Sequence, residues 1–84
     1  MSTNKENKLA VLAIIVDDFQ AVDKVNALLH EYRNDIVGRM GIPYRAKNVN
    51  VISVVLDAPS EQINALSGKL GMISGVSSKV LTAK

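Results

Sequence analysis

Several places in this chain carry residue types that could do chemistry. Asp17 and Asp18 stand side by side after an apolar run, and adjacent carboxylates can divide acid and base roles. Helix capping accounts for the same pair, because an N-cap carboxylate accepts hydrogen bonds from the free amides of the next turn. His30 is the single histidine, and a metal ion asks for further ligands beside it. Ser67-Gly68-Lys69 imitates a phosphate loop, yet Ile63 stands where that motif needs its first glycine and Leu70 replaces its final Ser or Thr. Gly68 therefore reads as a glycine within a helix, a place where a neighbouring element comes close.

The densest cluster is HEYRNDIVGRMGIPYR, His30 to Arg45. Arg39 lies between Gly38 and Gly41, and Tyr44 follows Pro43. One account is a solvated arginine beside glycines that permit a bulge. The functional account makes Arg39, with Tyr44, part of an anion or effector site between subunits. Arg39, Tyr44, Asp17 and Asp18 are thus the candidate effector or interface residues. No catalytic residue, metal ligand or cofactor is expected.

Positioning these residues falls to a few regular elements. Leu9 to Val16 and Val49 to Leu56 are strand-like and apolar on both faces, so one layer of helices cannot cover all their side chains. Between them, Val22, Val25, Leu28, Leu29 and Tyr32 form one stripe of a helix, with Asp23, Lys24, Asn26, His30 and Glu31 on its wet side. Asp18 is its expected N-cap. Ile36 to Ile42, closed by Pro43, reads as an edge strand. Asp57-Ala58-Pro59-Ser60 opens a second helix with a buried stripe of Ile63, Leu66, Leu70 and Ile73 and a C-terminal breaker at Gly71. Val76 to Thr82 is the last and most polar strand.

The order is βαββαβ, which predicts an α+β, ferredoxin-like fold of the ACT type: a four-stranded antiparallel sheet with two helices on one face. Right-handed crossovers put the first and third strands at the centre. Those are the two strands that are apolar on both faces. Residues 1–8 read as a flexible polar tail, and residues 9–84 as a single domain.

Composition narrows the function classes. The absence of cysteine excludes disulfides, thiolate metal sites and a Cys nucleophile. A net charge of +2, with its cations spread along the chain, argues against direct nucleic-acid binding. So does the third strand, which offers no aromatic for base stacking. The apolar run after Lys8 stops at Asp17 without a small-residue cleavage site and is too short to span a bilayer. The sequence thus predicts a cytoplasmic protein with no membrane contact.

HEYRNDIVGRMGIPYR, followed by NVISVVLDAPSEQINALSGKLGMISGVSSKVL, closely resembles the small iron-only hydrogenase system regulators. VGRMGIPY (Val37 to Tyr44) and SGKLG with a following SGV (Ser67 to Val76) carry the likeness. The resemblance implies an ACT-type regulatory module, similar to the C-terminal domain of nickel-responsive regulators, without a settled ligand. Where nickel-responsive regulators use several histidines and a cysteine, this chain has His30 alone. Its eight polar N-terminal residues do not supply a ribbon-helix-helix reader. Where amino-acid-binding ACT domains favour glycine, it has Asp17-Asp18.

The expected function is a non-catalytic regulatory or ligand-sensing module acting as a homo-oligomer, dimer or tetramer, through a sheet face or edge strands, with a small-molecule effector. The alternative is a module that binds a hydrogenase maturation factor or a separate DNA-binding regulator. Ile14→Lys and Val54→Lys form a pair of variants meant to probe the uncovered sheet face, whichever of the two lies on it.

Overall fold

The computed structural model describes residues 6–83. The expected tail covers residues 1–8, of which residues 1–5 lie outside the described ones. Among those described, the elements are β1 (Asn7–Val16), α1 (Val22–Glu31), β2 (Ile36–Tyr44), β3 (Val49–Pro59), α2 (Ser60–Gly71) and β4 (Val76–Thr82). The strands form one antiparallel sheet in the order β2-β3-β1-β4. This is the expected ferredoxin-like arrangement, with β1 and β3 at the centre and β2 and β4 at the edges.

Alternation along the central strands sorts their side chains. Ala10, Leu12, Ile14 and Val16 of β1 are buried, as are Ile52, Val54, Leu56 and Ala58 of β3. The register sets Leu12 opposite Val54 and Ile14 opposite Ile52, so both strands bury the same face of the sheet. Val25, Leu28, Leu29 and Tyr32 from the α1 side, with Ile63, Leu66 and Leu70 of α2, complete this core. Burial of a large apolar side chain contributes about 1.5–3 kcal/mol, so this layer holds the fold together. Lys69 stands over the Tyr32 ring, 5.2 Å from its centroid, and ties the end of α2 to the end of α1. The Tyr32 hydroxyl, and then its charge, hold the Lys69 ammonium above the usual lysine range.

Several boundaries differ from the sequence reading. β1 begins at Asn7, and its first residues pair with Pro59, Ala58 and Asp57. Those three residues therefore end β3 instead of opening a helix. Pro59 takes an extended φ of −61° and ψ of 150°, and serves as the N-cap from which α2 starts at Ser60. Ala58 points into the core at 1% exposure, which anchors the strand ending. Asp18 does cap a helical entry: its carboxylate accepts from the Gln20 amide at 2.9 Å. The turn it caps is a short 3-10 segment, Phe19–Ala21, that leads into α1.

Gly68 also departs from expectation. A methyl group built there would meet nothing within 4 Å, so no element approaches it closely. Gly71 ends α2 without a left-handed turn, and the glycine with positive φ is Gly75.

Candidate functional site

The other face of the sheet carries the residues that alternate with the core. On β1 these are Leu9, Val11, Ala13 and Ile15, and on β3 Val51, Ser53, Val55 and Asp57. Met40, Ile42 and Tyr44 of β2 fall on the same side, opposite Ser53, Val51 and Val49. Leu81 and Lys79 of β4 extend it beyond Val11 and Ala13. Both helices pack on the core side. Met40 is 61% exposed, Ile42 50%, Ile15 47% and Leu81 73%, so a continuous apolar surface meets solvent in the single chain. Its charged members among the described strand residues are Asp57 and Lys79, one of each sign.

The sequence-predicted site residues divide between two faces. Tyr44 lies on the open face by register. Arg39 pairs with Val54 and therefore lies on the helix side, where its Nη2 donates to Asn26 Oδ1 of α1 at 2.8 Å. Within one chain the two residues are thus apart. Only a second chain could bring an Arg39 and a Tyr44 to the same site.

Asp17 and Asp18 sit at the turn between β1 and the helical entry, packed against the turn before β4. The Asp17 amide donates to the Gly75 carbonyl at 2.8 Å. Gly75 holds φ at +83°, and a Cβ there would come within 2.6 Å of the Asp18 Cβ. Asp18 thus uses its carboxylate as a cap, whereas Asp17 anchors the turn through its backbone amide. Among the described residues, no three of His, Cys, Asp or Glu gather closely enough to hold a metal ion.

Sequence reading missed that Arg39 shares a hollow with three polar residues from α1 and the turn after it. Asn26 and His30 on the wet side of α1, and Arg33 in the turn that follows, recur at helical spacing, and the structure sets all three beside Arg39 of β2. The i, i+4, i+7 repeat was visible in the chain, but its strand partner was not.

Residues 8–80 match the TM1266-like family, described as "Iron-only hydrogenase system regulator, putative". The solved structure of the uncharacterized protein TM1266 from Thermotoga maritima is similar over 94% of this chain and 100% of that one, at 44% identity and a TM-score of 0.90. The C-terminal domain of the MgtC protein from Mycobacterium tuberculosis covers 98% of this chain and 94% of its own, at a TM-score of 0.72. Its 14% identity makes that likeness one of fold alone. No curated protein matches the chain. A family match along nearly the whole domain, with a relative that superposes end to end, places this chain in the TM1266-like family of iron-only hydrogenase system regulators.

Proposed function

We propose that this protein is a non-catalytic regulatory module that works as a homo-oligomer, with the open sheet face as its interface, and that a small-molecule effector biases the assembly. The observation that carries this reading is the open face itself. Contiguous exposed apolar patches beyond a few hundred Å² are uncommon on monomers. A standard interface removes roughly 800 Å² per partner from water, enough to cover such a face. A second copy suits it because the two charges differ in sign: an isologous contact can set Asp57 of one chain toward Lys79 of the other. An effector would act by binding one assembly state more tightly than another. The link to an iron-only hydrogenase system comes from the family.

Sedimentation equilibrium over a wide concentration range tests the assembly. The wild type is expected to sediment as a dimer or larger species. Ile15→Lys, which puts a charge on the open face of the central strand β1, is expected to sediment as a folded monomer with an unchanged far-ultraviolet circular dichroism spectrum. A wild type that stays monomeric at high concentration overturns the homo-oligomer and points to a different protein as the occupant.

A further inference from the structure

The helix side of the β2 edge carries a second feature, separate from the open face. Two adjoining hollows, of about 290 Å³ and 230 Å³, lie along the groove between α1 and β2 and share Asn26 and Arg39. The first is lined by His30, Arg33 and Arg39 with Leu29 and Ile36, and by no carboxylate. The second is lined mainly by neutral and apolar groups, among them Val22, Gly41 and Ile52.

Both guanidiniums are held in place by neutral oxygens. Arg39 Nη2 donates to Asn26 Oδ1 at 2.8 Å, and Arg33 Nη1 donates to the His30 carbonyl at 3.0 Å. Each of these bonds uses one N–H and cancels no charge. A guanidinium has five N–H donors in a planar fork that matches carboxylate and phosphate oxygens. Arg33, in the turn that joins α1 to β2, and Arg39, on β2, line the same hollow, and their remaining N–H groups can serve one oxyanion there. Asn26 is the shared element: it orients Arg39 from α1 and lines both hollows.

From this arrangement we infer that the α1–β2 groove is a binding site for a small oxyanion, a phosphate- or carboxylate-bearing molecule. Its charged group lies between Arg33 and Arg39, and its less polar part lies toward Val22, Gly41 and Ile52. Binding here does not require the sheet-face interface, whereas a regulatory meaning for it rests on the function proposed above. The edge strand connects the two. Arg39 faces the groove while its neighbour Met40 faces the open side, so a ligand that fixes β2 reaches the interface through one strand.

The test is an NMR titration of ¹⁵N-labelled full-length protein with inorganic pyrophosphate and, separately, with citrate, against sodium chloride at matched ionic strength. At least one of the two probes is expected to give saturable shifts clustered at Asn26, His30, Arg33, Ile36 and Arg39. Arg39→Gln and Arg33→Gln should each weaken that probe at least tenfold. Arg39→Lys should recover only part of the loss, since it restores the charge without the fork. Pyrophosphate alone, or citrate alone, identifies the headgroup.

Shifts that follow chloride, that cluster at other lysines and arginines, or that survive both glutamine variants overturn the site. Sedimentation of the same samples keeps the two readings apart. A monomeric protein with saturable groove shifts defeats the assembly alone, and an intact oligomer with none defeats the groove alone.

Discussion

Gly75 is the residue whose role depends most on its conformation. Its φ of +83° lies in the region that L side chains rarely adopt, and the Asp18 Cβ occupies the space a side chain would need. Gly75→Ala is expected to lose about 2–4 kcal/mol, combining left-handed strain with overpacking. For a domain of this size that lowers the melting temperature by more than about 10 °C in a thermal scan. An unchanged transition would show that the β4 turn can rearrange freely. Arg39 and Tyr44 teach a related lesson at the same scale. Their types marked them as chemistry-bearing, but the parity of a strand set them on opposite faces. Arg39 acquires its partner from α1, at Asn26, thirteen residues earlier in the chain.

At the scale of elements, the central strands are the most legible part of the chain. Their apolar positions on both faces marked strands that one layer of helices cannot fully cover, and their placement at the centre of the sheet followed from crossover handedness. Element ends were less legible. Asp57 to Pro59 has the composition of a helix start, yet pairing with Asn7 to Leu9 keeps it in β3. That pairing joins residues some fifty positions apart in sequence, which no local pattern encodes. Gly68 is illegible for a similar reason, since only packing tells whether a helical glycine faces a neighbour. It faces open space, so Gly68→Ala is expected to stabilise α2 by about 1 kcal/mol. A melting temperature raised by roughly 4–8 °C, with the oligomeric state unchanged, would bear this out. Disruption of the assembly by that methyl group would move the interface to the helices.

For the whole molecule, the decisive fact is which side of the sheet each alternating residue takes. Ile14 and Val54 both face the helices, each at 0% exposure, so neither can probe the open surface. Leu12 pairs with Val54 and Ile14 with Ile52, which puts the two on one face. Ile14→Lys is therefore expected to cost more than about 3 kcal/mol by burying an unpaired charge, and to broaden or abolish cooperative unfolding. Ile15→Lys, one residue along, should leave the monomer fold intact and act on assembly. Comparing the two by denaturant melts and by sedimentation separates core from interface within a single dipeptide. If Ile14→Lys melted like the wild type, the assignment of the two faces would be reversed.

The amino-acid sequence by itself determined the order of elements, the centre and edges of the sheet, and the excess of apolar surface over what two helices can cover. Those properties follow from periodicity and from the handedness of connections, which are written locally along the chain. Tertiary structure alone decided which parity of β1 and β3 faces solvent, where β3 gives way to α2, and that Arg33 and Arg39 border one groove. Each of these depends on the register between segments distant in sequence, and a shift of one residue would exchange the two faces throughout.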